Sequence, residues 1–413
     1  MKKCVLGDIC TKIGSGATPT GGRAAYAEEG VSLIRSQNVL DLTFSYGGLA
    51  YLNDSQADKL KSVAVQPNDV LLNITGDSVA RSCMVDEKVL PARVNQHVAI
   101  VRVKKEVANP YYIMLWLVWQ KKRLLLLASN GATRHALTKE MIEELPIDLP
   151  TLAEQSKIAL LLSTIDRKIA LNRKRIATLE AMAKEIYDYW FVQFDFPDAH
   201  GRPYKSSGGA MVYNPDLKRE IPKGWEVGVL PDIVEFTNGL PCQRFRPRPG
   251  ERSLPVLKIK EMHDGITDQT ERVKEDIPER FKVYDGDIIF SWSASLEVMV
   301  WFYGKAGLNQ HIFKVTEKDG WPIHFSFFLL SDYVAIFRRI AESRKTTMGH
   351  ITSDHLRLST VPLPQHKVVV EKFEEIVRPI FDALVNAAHE VSNLVNMRDT
   401  LLPLLMNGQV KVG

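Results

Sequence analysis

The chain has 413 residues, too many for one ordinary core, so two domains or more are expected. Its 45% hydrophobic and 25% charged content is that of a globular protein, and a net charge of +4 permits nucleic-acid binding without requiring it. The four cysteines are scattered, which argues against a disulfide framework or structural zinc and fits a reducing cytoplasm. The apolar runs are too short for a signal peptide or a bilayer span, so secretion and membrane insertion are disfavoured.

Residues 1–150 alternate short apolar runs with Gly, Asn and Ser turns and predict a strand-rich module. Pro67-Asn68-Asp69-Val70-Leu71-Leu72 reads as a turn feeding a buried strand. Asp69 with Asp86-Glu87-Lys88 imitates a nuclease metal site, but a turn aspartate explains it better. Asn95-Gln96-His97 lies in an alternating run and is assigned to a strand, with a scaffold role favoured over base contact. Asn109-Pro110-Tyr111-Tyr112 lacks the second proline of an amino-methyltransferase motif, and no glycine-rich methyl-donor loop accompanies it. It is read as the start of an apolar helix. The chain also has no P-loop and no Gly-x-Ser-x-Gly elbow, so it is a poor candidate for an enzyme.

Residues 151–194 carry the signals of one long helix. Thr151-Leu152-Ala153-Glu154 is a capping box. Ile158, Leu162, Ile165, Ile169, Asn172, Ile176, Leu179, Ala183, Ile186 and Trp190 then step by fours and threes, the seam of a helix packed lengthwise on a partner. Asn172 either fixes the register from inside that seam or sits wet at its edge. The helix would reach about 60 Å at 1.5 Å per residue, against about 34 Å for one turn of duplex DNA. Residues 195–222, rich in Pro, Gly and Ser, form a connector.

Residues 223–364 repeat the first module. Asn309-Gln310-His311 stands as far from Asn95-Gln96-His97 as Ile351-Thr352 from Leu137-Thr138 and Leu363-Pro364 from Leu149-Pro150. Asp285-Gly286-Asp287-Ile288 answers to the turn at Asn68, after an indel. Residues 365–408 then give a second long helix through Val369, Phe373, Ile376, Ile380, Ala383, Ala387, Leu394, Met397, Leu401 and Leu404. Glu390 interrupts this seam, and Pro379 should bend the helix or mark its start. The simplest arrangement is α+β: two duplicated strand-rich modules joined by two long helices in an antiparallel coiled coil.

The chain resembles the specificity subunits of type I restriction-modification systems. The resemblance rests on Leu149-Pro150-Thr151-Leu152-Ala153-Glu154-Gln155 with Ile158, Tyr189-Trp190-Phe191-Val192-Gln193-Phe194, Lys205-Ser206-Ser207-Gly208-Gly209 and Ile221-Pro222-Lys223-Gly224-Trp225-Glu226. It implies two target-recognition domains, 1–150 and 223–364, each reading half of an interrupted asymmetric site in double-stranded DNA. It also implies helices that act as ruler and as docking surface for two methyltransferase subunits, with restriction subunits joining through the complex. The chain itself would be non-catalytic and hold no cofactor or metal; S-adenosylmethionine, ATP and magnesium would belong to the partners. A stand-alone DNA methyltransferase or nuclease, or a coiled-coil scaffold without a DNA role, are the competing readings.

Reading bases requires polar side chains that reach base edges or phosphates. In the first module the candidates are Ser15, Thr18, Arg35, Asn38, Thr75, Arg81, Thr133 and Arg134. In the second they are Arg244, Arg246, Arg248, Lys258, Lys260, Ser291, Trp292, Ser293, Arg344, Lys345 and Thr346. The Arg244, Arg246, Arg248 cluster is the strongest, because three guanidiniums in five residues cannot sit in a core.

Overall fold

The computed structural model describes residues 2–129, 136–267, 269–293, 295–343 and 353–412. Ile351 and Thr352 of the repeat fall outside them. The chain divides into two compact units, one of residues 1–168 with 394–413 and one of residues 169–393.

The first unit holds two four-stranded sheets. One has the order Cys10–Ser15, Val98–Val103, Val70–Asn73, Ser82–Met84, all antiparallel. The other has the order Tyr26–Ala27, Ala50–Leu52, Val31–Ile34, Ala92–Val94, and its last pair is parallel. Strand Val70–Asn73 is buried at all four positions, as a continuous apolar run between two layers should be. Helix Pro110–Trp119 starts as expected: the Asn109 side chain accepts from the Tyr112 N–H at 3.1 Å, and proline occupies the first turn, where no donor is needed.

The second unit repeats the antiparallel sheet and three strands of the mixed one, whose fourth strand sits at the opposite edge. Val234–Asn238, Ile312–Glu317, Ile288–Ser291 and Glu297–Val300 form the antiparallel sheet. Arg272–Lys274, Ser253–Leu257, Ala306–Leu308 and Lys282–Val283 form the mixed one, again with one parallel pair. In each unit a further antiparallel pair precedes the long helix, Lys2–Val5 with Pro146–Leu149 and Trp225–Val229 with Thr360–Pro364.

The repeated turn is of one kind in both copies. Asn68 and Gly286 both take positive φ, 71° and 91°, a conformation open to glycine and tolerated by asparagine. Asp69 and Asp287 are consumed structurally. The buried Asp69 accepts from Arg102 through both oxygens at 2.7 Å, and Asp287 pairs with Lys314 at 2.6 Å.

The first long helix spans Leu152–Tyr187. Its capping box is present: Glu154 Oε2 accepts from the Thr151 N–H at 2.9 Å, and Thr151 Oγ1 accepts from the Glu154 N–H at 3.3 Å. Ile158, Leu162, Ile165, Ile169, Asn172, Ala183 and Trp190 are buried, with Ile176, Leu179 and Ile186 half-buried. A wide π-turn, Asp188–Val192, ends the helix and turns both Trp190 and Phe191 into the core.

The second long helix, Val368–Met406, runs through Pro379, which therefore does not mark its start. Its buried row is Val370, Phe373, Val377, Phe381, Leu384, Ala387 and Ala388; Phe373 and Ala387 are where the expected seam has them, while Val370, Val377, Phe381 and Leu384 lie one position beyond it. Ile376 is 44% exposed and Met397 51% exposed, while Ile380, Leu394 and Leu401 are half-buried. Two apolar rows lie side by side on this helix, and periodicity alone does not choose between them.

The helices run antiparallel within each unit taken alone. In the first, Arg398 pairs with Asp166 at 3.1 Å while Ile158 lines the same cavity as Leu405 and Met406. In the second, Asn172 Nδ2 donates to Glu390 Oε2 at 2.8 Å while Phe373 packs on Trp190 with centroids 5.9 Å apart. Asn172 is thus buried rather than wet, and its partner is the glutamate that interrupts the opposite seam.

Candidate nucleic-acid interface

Both units assemble one end of their sheets around the repeated triplet. In the first, Ser15 pairs with Ala99, Asn73 with Val98 and Ile34 with Val94, so three strands finish at the same edge. Asn95-Gln96-His97 closes that edge as a tight turn, not as the expected strand. Each adjoining loop is tied to it: Gly16 N–H to Val98 O at 3.0 Å, Ala17 N–H to Val94 O at 3.1 Å, Ile74 N–H to His97 O at 3.0 Å, and Asn95 N–H to Ile34 O at 3.0 Å.

The second unit makes the same four ties. Gly239 donates to Ile312 at 3.1 Å, Leu240 to Leu308 at 3.0 Å, Trp292 to His311 at 3.3 Å and Asn309 to Leu257 at 3.1 Å. Asn95 Oδ1 and Asn309 Oδ1 accept from the backbone N–H of His97 and His311 at 3.1 and 3.3 Å. A Cβ on Gly16 would collide with the Val94 carbonyl, and one on Gly239 with that of Asn309. The buried asparagine and the glycine beneath it are therefore framework, which agrees with the scaffold reading of the triplet.

Three groups of predicted loops emerge from this framework. In the first unit they begin at Ser15, Arg35 and Thr75; in the second the corresponding stretches begin at Asn238, Lys258 and Ser293. Arg35 and Lys258 stand alike, each with its backbone N–H held by the side chain three residues on, Asn38 at 2.9 Å and Glu261 at 3.2 Å. Ser15, Thr18, Arg244, Arg246, Arg248 and Lys260 are exposed; Arg35, Thr75, Arg81, Lys258 and Trp292 are half-buried.

Three predicted contacts are not offered to a ligand. Asn38 is fully buried, and its amide donates to Ser45 O at 2.9 Å and Gly47 O at 3.1 Å, so it shapes the loop that presents Arg35. Ser291 is fully buried, bonded to Ser295 O and accepting from the Glu297 N–H at 3.2 Å, and Ser293 is buried as well. Polar residues at the end of a buried strand go to satisfying the turn. Thr133, Arg134, Arg344, Lys345 and Thr346 lie outside the described residues.

The surfaces differ chemically. In the first unit Thr75, His97, Gln96 and Thr18 form a hydrogen-bonded chain. His97 Nδ1 is 2.6 Å from Thr75 Oγ1, its Nε2 is 2.9 Å from Gln96 Nε2, and Thr18 bonds to Gln96 Oε1. An amide nitrogen only donates, so His97 Nε2 is the acceptor and Nδ1 carries the proton. Gln96, which the scaffold reading of the triplet sets aside, is exposed. In the second unit Trp292 lies against His311 with centroids 5.6 Å apart and the rings tilted by 46°, and its indole N–H donates to Asn238 at 3.3 Å. Lys258 pairs with Glu271 at 2.5 Å, and that hydrogen bond holds the Glu271 carboxyl below its ordinary range. Among the described residues no group of His, Cys, Asp and Glu is arranged to hold a metal, and no helix is long and apolar enough to cross a membrane.

Residues 1–181 match the family model described as a type I restriction modification DNA specificity domain. The chain is 27% identical over 335 residues to the type I restriction enzyme MjaIX specificity subunit of Methanocaldococcus jannaschii, covering 78% of this chain and 74% of that one. It is 20% identical over 436 residues to the HindI specificity subunit of Haemophilus influenzae, covering 92% and 94%. The crystal structure of a type I restriction-modification S subunit from M. genitalium shares the fold, with a TM-score of 0.59 at 14% identity over 98% of this chain and 95% of that one.

Proposed function

We propose that this chain, which belongs to the type I restriction-modification specificity-subunit family, reads a split DNA site through two modules, residues 1–150 and 223–364. The helices, 151–194 and 365–408, act as ruler and as docking surface, with 195–222 as connector. The chain is the non-catalytic recognition component. It brings two methyltransferase subunits, and restriction subunits through them, to one duplex in the cytoplasm. It holds no cofactor of its own, and S-adenosylmethionine, ATP and magnesium serve the partners.

The observation that carries this reading is the paired architecture of the loop ends. Each unit hangs its loops from the same buried turn, yet the side chains displayed differ, as two readers of unlike half-sites require. The exposed Arg244, Arg246 and Arg248 suit phosphates or guanine edges, and Gln96 suits adenine. The test is to express the chain with its methyltransferase partner in a methylation-free host and map N6-methyladenine by long-read sequencing. An interrupted motif that appears only with this chain is the expected result. Absence of methylation from an assembled, soluble complex that also binds no DNA would reject the reading.

A further inference from the structure

The two units place an aromatic ring at corresponding positions where nothing in the fold requires one. In the first, a 3-10 turn, Gly22–Ala25, is followed at once by Tyr26, 41% exposed. In the second, the 3-10 turn Cys242–Arg244 is followed at once by Phe245, 39% exposed. Both are locked to the strand that runs antiparallel to the central strand of the mixed sheet. Tyr26 pairs with Leu52 there, and Phe245 O accepts from the Lys274 N–H at 2.9 Å. The Phe245 N–H is also spent, on Cys242 O at 2.9 Å. Each backbone is thus held while the ring faces solvent.

A single exposed phenylalanine is ordinary on a protein surface; what marks Phe245 is its setting. Phe245 stands between Arg244 and Arg246, both exposed, and Arg248 follows. Guanidiniums at this density draw a phosphate backbone close, and a ring beside a phosphate track stacks on bases or unstacks a step. The loop leaves directly from Leu240, one of the four ties to the repeated turn, so the ring flanks the loop surface described above.

We propose that Tyr26 and Phe245 are DNA-stacking residues, one per unit, each pressing its ring onto a base step at the flank of the half-site its unit reads. The inference rests on the DNA-reading function proposed above. It adds a contact that responds to the stacking and deformability of the duplex, which hydrogen-bonding side chains do not supply.

The test uses the full chain assembled with its methyltransferase partner and a duplex carrying the mapped site, with 2-aminopurine moved step by step through both half-sites. The wild-type complex is expected to change the fluorescence at one step in each half. Phe245→Ala should abolish the change in one half only and Tyr26→Ala in the other, each weakening binding by about tenfold. Phe245→Trp should retain the signal, and Phe245→Leu, which keeps apolar bulk without a ring, should keep the fold and lose it. Alanine variants with wild-type affinity and an unchanged signal, or a leucine variant that retains the signal, overturn the inference while leaving the DNA-reading function intact. A wild-type complex that neither binds DNA nor methylates it removes that function, and this inference with it.

Discussion

The two units share a skeleton but not a surface. Gly16 and Gly239, Asn95 and Asn309, and the turns at Asn68 and Gly286 do the same work in each. Thr75 of one corresponds to Ser293 of the other, Ile74 to Trp292 and Arg35 to Lys258. What is repeated is buried or locked by backbone bonds; what differs lies on the loops, half-buried at Arg35, Lys258, Thr75 and Trp292 and exposed at Arg244 and Arg246. A duplicated reader can change its target in one half without refolding, because the residues that set the loop bases are not the ones displayed on them.

The sharpest way to break this comparison is at the glycines. Gly16→Ala or Gly239→Ala forces a Cβ into a backbone carbonyl and should cost about 3 kcal/mol or more, read as a lowered denaturation midpoint. Gly14→Ala, with open space around it, serves as the tolerated control.

Next comes the polar pair of the helix seam. Asn172→Leu alone removes the hydrogen bond to Glu390 and should destabilise by about 1 kcal/mol, and the double change Asn172→Leu with Glu390→Leu should cost less than the sum of the two single changes. A double-mutant cycle that finds the two changes additive would show that the bond does not couple them.

Asn95→Ala removes the acceptor for the His97 N–H and should cost about 1 kcal/mol in thermal unfolding, with the methylated sequence unchanged. A shifted motif at unchanged stability would move Asn95 from skeleton to surface. Replacing Arg244, Arg246 and Arg248 together should instead leave stability alone and flatten the salt dependence of DNA binding, by about 0.9 in log–log slope per lost phosphate contact.

The smallest effect lies at the start of the first long helix. The Thr151 N–H and hydroxyl hold the Glu154 carboxyl below the ordinary glutamate range. Its folded value is depressed, so the stabilisation is present above the unfolded value and is lost as pH falls through the folded one. Thr151→Ala should cost about 1 kcal/mol and weaken that dependence without removing it, because the backbone N–H at position 151, the larger cause, remains; amide exchange in the first helical turn follows the change.

The duplication, the first helix and its cap were legible because each is written in local pattern: a repeated triplet, a capping box and an apolar period. The second seam was displaced in part because Ile376 and Val377 are equally apolar neighbours: Phe373 and Ala387 of the expected row are buried, but between them Val377, Phe381 and Leu384 take the core positions. The triplet was misassigned as strand because a hydrogen-bonded turn between two buried strands has the same alternation as the strands themselves. Asn38, Ser291 and Ser293 looked like readers because a polar residue in a loop sequence does not announce whether its partner is DNA or the next backbone carbonyl. Asn172 and Glu390 were each visible as an oddity, but their mutual bond joins residues far apart in the chain.

The first unit is built from residues 1–168 together with 394–413, so the whole of the second unit is inserted into it along the chain. During synthesis, residues 1–168 leave the ribosome well before Arg398 exists to pair with Asp166. The second unit, whose residues are contiguous, has all its parts first. The first unit is thus the last to be completed, and a nascent chain halted before its closing turns would present one finished unit and one whose long helix still lacks its partner.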